Sequence, residues 1–278
     1  LFTLPAATLA LSSCNCGYTL NTTSLFTHAI QTDFTHPDAS LTWTDSPSAD
    51  WAVQVYNVSP TAARGPYGKA AELSTVLLNS SSSTLDLYVR SQLLPNTNGT
   101  LGSSDLRIPI SEIATTRNDI LYGTFRASIQ FSSVPGTCGA FFFYHNDSQE
   151  IDMEVLSQQQ QSARVNSNGT HPINLVNQSP VSVTQGYNDV GTVGFVPYNL
   201  PFDPTEGWHE YRFDWLPDRI DKFADGAWLT TFTEDVPNRA GGVHLSHWSN
   251  GDPGWSGGPP GGDAVVRVRW VEAYFNTT

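Results

Sequence analysis

The segment that most constrains the fold is Gln149 to Leu156, which reads QEIDMEVL. Glu150, Asp152 and Glu154 stand at every second position, with Ile151, Met153 and Val155 between them. A β-strand sends successive side chains to opposite faces, so three carboxylates share one face and three apolar side chains the other. Same-side neighbours on a strand lie only ~7 Å apart, so ionising all three works against like-charge repulsion. Two readings follow. The strand has a solvated acidic face, or the fold gathers carboxyl groups whose proton affinity has been raised for chemistry.

The rest of the chain repeats the period of two. Trp51 to Val58 and Ile120 to Phe131 alternate, and Ala71 to Leu78, Thr84 to Leu93, Ala140 to Tyr144, Glu210 to Trp215, Arg219 to Ala224, Ala227 to Phe232 and Ala264 to Phe275 read as further strands. Asp33-Phe34 and Leu41-Thr42-Trp43 suit early strands. Turn chemistry separates the runs: Asn79 to Ser83, Val134-Pro135-Gly136, His145 to Gln149, and the two-residue hairpin signal Asp225-Gly226. Ser157 to Pro204 is polar and irregular and reads as short strands and loops. Gly241 to Gly262, rich in Gly, Pro and Trp, reads as a loop. Helical periodicity is nearly absent. A dozen or so strands with no linker predict one all-β domain over residues 1–278, a sandwich of two antiparallel sheets.

Composition narrows the partners. The 278 residues carry 13 basic and 26 acidic side chains, a net charge of −13. The basic residues form no run, which argues against nucleic acid, and the acidity favours a neutral substrate. No apolar run is long enough to span a membrane. Eight Asn-x-Ser/Thr sequons, at Asn21, Asn57, Asn79, Asn98, Asn146, Asn168, Asn177 and Asn276, predict a secreted glycoprotein bearing N-linked glycans, although Pro180 disfavours the Asn177 site. Residues 1–12 read either as a signal-peptide remnant or as an N-terminal strand. Cys14 and Cys16 are too close to bridge one another, so one of them is expected to pair with Cys138, leaving one thiol over. Three such cysteines make no zinc site.

The run Glu150-Ile151-Asp152-Met153-Glu154 after an aromatic strand resembles the active-site signature of glycoside hydrolase family 16. Asp119-Ile120-Leu121-Tyr122-Gly123 with Arg126 resembles that family's upstream strand. Trp208-His209-Glu210-Tyr211, Trp215 and Asp225-Gly226 resemble its downstream segment. The resemblance runs from about Ile120 to Phe275. It implies a concanavalin-A-like β-jelly-roll with a cleft on one sheet. It also implies Glu150 as nucleophile, Glu154 as general acid/base and Asp152 as their electrostatic partner. Retaining glycoside hydrolysis needs two carboxyl groups ~5–5.5 Å apart, whereas four residues of strand separate Cα atoms by ~13 Å, so the two Glu arms must lean inward on a curved strand. Laminarinase-type members have one extra residue in this motif. The five-residue form here is similar to lichenases, plant xyloglucan enzymes and fungal wall transglycosylases, and the chain as a whole looks most like the secreted fungal members of the family, which include enzymes acting on β-1,3-linked glucans and galactans.

Trp248 and Trp255 offer ring faces to sugars or plug the end of the core. Asn250 bonds a sugar hydroxyl or shapes the turn before Gly251. By the family pattern Tyr122 and Arg126 serve the cleft or its support, Arg126 otherwise being a surface ion pair; His209 and Tyr211 are structural. Phe141 to Phe143 are expected in the core. No cofactor is expected, although a structural calcium at Asp33, Asp263 and backbone carbonyls is of the sort seen in some relatives. The expected protein is a monomeric retaining endo-β-glycanase on β-1,3 or mixed-linkage β-1,3(4)-glucan. Its alternatives are a cell-wall transglycosylase or endo-β-1,3-galactanase using the same carboxylates, or a non-catalytic lectin-like module.

Overall fold

The computed structural model describes residues 17–20, 24–36, 49–95, 106–166 and 169–278, without the side chains of 163–166. Leu1 to Leu11, Cys14, Cys16, Leu41 to Trp43 and the sequons at Asn21, Asn98 and Asn168 lie outside the described residues.

Two sheets face each other. One runs Phe195–Leu200, His171–Gln178, Gln149–Leu156, Cys138–Asn146, Gly242–Trp248, Arg107–Thr115, Gly68–Ala71, Tyr56–Val58, with Trp51–Val53 also paired to Arg107–Thr115. This is the cleft sheet. The back sheet runs Ala227–Phe232, Arg219–Ala224, His209–Leu216, Ile120–Gln130, Ala264–Thr277, Thr84–Val89, Val76–Asn79, with His28–Asp33 along Ala264–Thr277. Pairing is antiparallel among the described strands except between Gly68–Ala71 and Arg107–Thr115. The all-β antiparallel sandwich expected from the alternation is the architecture observed.

Period-two burial builds the core. Ile151, Met153, Val155, Phe141 and Phe143 point from the cleft sheet toward Phe125, Phe213, Trp215 and Phe275 of the back sheet, each no more than 2% exposed. Phe143 meets Trp215 with ring centroids 4.2 Å apart, and Phe141 meets Phe213 at 5.1 Å. Phe142, expected in the core with its neighbours, points the other way. It lines the cleft and stacks on His244 at 4.8 Å, because alternation along Cys138–Asn146 sends it to the opposite face.

Several turns follow their chemistry. Asn79 to Ser83 joins Val76–Asn79 to Thr84–Val89 with Asn79 opposite Thr84. Asp225 and Gly226 both take positive φ, 46° and 75°, as a tight hairpin of this hand requires. The irregular stretch after Ser157 differs from expectation. It forms helices Ser157–Asn166 and Pro180–Thr184 and two strands that extend the cleft sheet. Ser179 caps the second helix, with Pro180 in its first turn, so the valines there are helical. The Gly-rich loop likewise contains a strand, Gly242–Trp248, in the middle of the cleft sheet.

The cysteine pairing expected for Cys138 is not what the structure shows. Cys138 is a buried free thiol. The two carboxylates considered for calcium are separately engaged. Asp33 accepts from Thr35, and Asp263 accepts from Arg90 at 3.0 Å and from Ser91. Asp33 pairs with Trp270, seven residues along the chain from Asp263. Among the described residues no group of three or more His, Cys, Asp or Glu is placed to hold a metal ion.

Candidate active site: an acidic cleft on one sheet

The strand Gln149–Leu156 lies between His171–Gln178 and Cys138–Asn146, away from both edges of its sheet. Its polar face forms the floor of a cleft of about 580 Å³, to which Glu150, Asp152 and Glu154 all contribute. Asp152 is only 5% exposed, while Glu150 and Glu154 are half-buried and open to the cleft. The spacing thus delivers the three carboxyl groups to one side, with the apolar set on the other.

The surroundings decide how many charges the floor carries. Burial is the first cause that drives Asp152 well above the usual carboxylate range, and the charges of Glu150 and Glu154 add to it. The raised value favours the protonated form of Asp152, in which its carboxyl donates a hydrogen bond to Glu150. Burial raises Glu150 as well, but the bond from Asp152 favours its ionised form, as does the charge of Arg64; Glu154 and Asp147 oppose. Burial pushes Glu154 up to about 7. The Cys138 thiol, donating to Glu154 Oε1 at 3.2 Å, and the Trp255 indole pull it down, with help from Lys69 and Lys222. Burial and the neighbouring carboxylates raise the Cys138 thiol far above its ordinary value, so it remains a hydrogen-bond donor. The three carboxyl groups titrate as one coupled set.

The walls come from several elements. Trp248 and Trp255 both line the cleft. The Lys69 ammonium lies 4.7 Å from the centre of the Trp248 ring, and Trp255 lies beside Phe195 at 6.1 Å. Glu112 accepts from the Tyr56 hydroxyl at 2.5 Å and pairs with His244 at 2.8 Å, which in turn backs Phe142. Arg64 stacks on Tyr187 at 4.0 Å, joining residues that follow strands on opposite sides of the acidic strand. Asp189, also in the wall, is pushed up to about 6 by burial.

Two sequence-based candidates fall elsewhere, and a third is engaged in the fold. Asn250 borders the cleft but is 5% exposed, and its amide is already used. It donates to the Ala63 carbonyl at 2.8 Å and accepts from Ser256 at 2.8 Å and from the Asp252 amide at 3.0 Å. It anchors the loop to the helix Pro60–Ala63 and offers little to a sugar. Tyr122 and Arg126 sit on Ile120–Gln130, in the back sheet. Tyr122 occupies a register shift at φ 62° and packs edge-on against Trp215 at 5.0 Å. Arg126 pairs with Glu272 at 2.6 Å. Neither reaches the cleft, because strand parity fixes a face but not the sheet to which a strand belongs. His209 is structural: it stacks on Phe202 and bonds Asp225 at 2.7 Å.

Sequence reasoning gave Cys138 a disulfide rather than a place beside Glu154, and passed over Lys69, Arg64, Tyr187 and Lys222. Only Lys222 carried a local signal. In Arg219–Ala224 the alternation places it on the inward face between Ile220 and Ala224.

A two-sheet antiparallel sandwich with a carboxylate-floored, tryptophan-walled cleft on one sheet defines a carbohydrate-active jelly-roll. Residues 79–272 match the family model of the glycosyl hydrolases family 16, and the chain belongs to that family. A xylanase/beta-glucanase of Ruminococcus flavefaciens is 29% identical over 140 residues, covering 48% of this chain and 15% of that protein. A beta-glucanase of Brevibacillus brevis is 28% identical over 144 residues, covering 49% of this chain and 48% of that one. The match therefore spans less than half of either relative. The laminarinase catalytic domain from Thermotoga maritima is similar in fold, with a TM-score of 0.64 at 16% identity over 90% of this chain and 98% of that one.

Proposed function

We propose that the chain is a retaining endo-β-glycanase that hydrolyses β-1,3 or mixed-linkage β-1,3(4)-glucan. The observation that carries this reading is the placement of Glu150 and Glu154 on one cleft floor, with Asp152 between them bonded to Glu150. Glu150 attacks the anomeric carbon as its bond to the leaving oxygen breaks, and Glu154 gives that oxygen a proton. Glu154, now ionised, takes a proton from water. The water oxygen displaces Glu150 from the anomeric carbon, which restores both carboxyl groups. The bond from Asp152 holds Glu150 in place for the attack. The rings of Trp248 and Trp255 supply apolar surface for the C–H faces of sugars. The beta-glucanase relatives support a β-glucan substrate.

The sequons support a secreted glycoprotein. Asn57 and Asn146 are exposed. Asn177 is buried, and its amide donates to the Glu234 carbonyl at 3.0 Å, which argues against a glycan at that site.

The test is a polysaccharide panel of laminarin, lichenan, xyloglucan and β-1,3-galactan with product sizing, using Glu150→Gln as the blank. Short oligosaccharides from laminarin or lichenan are expected with the native chain and none with the variant. Products longer than the substrate when acceptor is in excess would indicate glycosyl transfer to sugar. Release from no glycan would leave the lectin-like reading in its place.

A further inference from the structure

Lys222 carries its amine into the middle of the sandwich, where burial pulls its pKa down to about 7. It sits on Arg219–Ala224 of the back sheet, is 0% exposed, and has its stem among apolar side chains. Its ammonium crosses to the opposite sheet and donates to the backbone carbonyls of Asp152 and Val176, both at 2.6 Å. Those two residues face each other in the ladder between Gln149–Leu156 and His171–Gln178. The Phe232 ring lies 4.9 Å away. Among the described residues no carboxylate bonds this ammonium. An unpaired ammonium inside a core is costly, and replacement by an apolar side chain would ordinarily relieve the cost. What lies within its reach is the underside of the acidic strand, at the backbone of the central carboxyl residue.

We propose that Lys222 is a positioning residue for the carboxylate trio: its buried ammonium ties down the acidic strand through the Asp152 and Val176 carbonyls and supplies the positive charge against which the trio ionises. The inference rests on the glycanase reading for its rate measurement only. The trio carries Glu150, Asp152 and Glu154 on one strand, with Asp147 beyond the hairpin toward Glu150. From the other elements, Arg64 faces Glu150, while Lys69, the Cys138 thiol and the Trp255 indole face Glu154. Arg64 and Lys69 act from the cleft side, where Arg64 is exposed and screened and burial lowers the pKa of the half-buried Lys69. Lys222 acts from the dry side, where screening is weak and its distance to the strand is fixed. By this arrangement a protonated Lys222 lowers the energy of the ionised trio, and the charges of Asp152 and Glu154 in turn oppose the burial that pulls Lys222 down to about 7.

Lys222→Met keeps most of the stem and removes the charge. The basic limb of the kcat/KM profile on the best glucan of the panel is expected to move up by about one pH unit, because Glu154 then holds its proton more firmly. An unmoved limb in folded Lys222→Met overturns the proposal. A second measurement needs neither activity nor the folding of that variant. Lys222 is followed by side-chain nitrogen NMR in the native chain and in Glu154→Gln, and its deprotonation is expected at lower pH in the variant. Equal titration in both overturns the proposal. If no glycan is cleaved, the function falls while the NMR comparison still decides the role of Lys222.

Discussion

Burial raises Glu150, Asp152 and Glu154 together, so the proposed reaction depends on where their protons stand at working pH. In the proposed mechanism Glu154 enters the first step protonated and Glu150 ionised; burial raises them to about 7 and about 8, so kcat/KM is expected to peak near those values and to fall as pH rises above about 8. A pH–rate profile flat to pH 9 would contradict this. Glu154→Gln is expected to lose about 10²–10⁴-fold on polysaccharide and far less on an aryl glycoside whose leaving group needs no proton. Equal losses on both substrates would argue against the acid role. At this scale the acidic motif was legible, since alternation alone puts three carboxyl groups on one face. Trp248 and Trp255 also fell in the cleft wall. Tyr122 and Arg126 did not, because nothing local in a strand says which sheet it joins. Cys138 was misjudged for a related reason. Its partner, Glu154, comes from the neighbouring strand, where pairing sets Ala140 against Glu154 and leaves Cys138 two residues further along.

The acidic strand works because the strands beside it are held closely against the back sheet. Gly139, between Cys138 and Ala140, shows how little room there is. A Cβ added there would lie 2.6 Å from Phe131 Cδ1 and 3.0 Å from Val266. Gly139→Ala is expected to destabilise the fold by roughly 1–3 kcal/mol, read from urea or thermal unfolding. An unchanged midpoint would mean that the sheets part easily. Elements with long alternation were readable in the sequence, and Gln149–Leu156, Arg219–Ala224 and Ala227–Phe232 fall where expected. Gly242–Trp248 was not. Val243 and Leu245 do alternate inward, but the glycines and prolines around them masked a short central strand. The two helices after Ser157 were missed because their sequences are polar or β-branched, and one of them depends on a serine cap rather than on helix propensity.

Over the whole molecule, the raised carboxyl groups couple stability to pH. The folded chain keeps protons on the trio that the unfolded chain has released above about pH 4.5. That contribution is complete at low pH and is lost as pH rises through about 7. Asp33, Asp119 and Asp263 have lowered values and act in the opposite sense, but their side chains are exposed and screened. Glu154→Gln should thus be more stable than the native chain at pH 8, by about 1–2 kcal/mol, with the difference closing near pH 4. Denaturant unfolding at the two values checks it. The sandwich as a class could be read from strand count and turn chemistry, but its strand order could not, since pairing across the fold leaves no local pattern.

The most direct test traps the intermediate. The chain is incubated with an activated 2-deoxy-2-fluoro β-glucoside or its β-1,3-linked disaccharide, in which the fluorine slows release from the enzyme more than attachment. Intact mass and peptide mapping are expected to show one sugar bound as an ester to Glu150. An adduct on another residue, or turnover of the reagent with no adduct, would contradict the account.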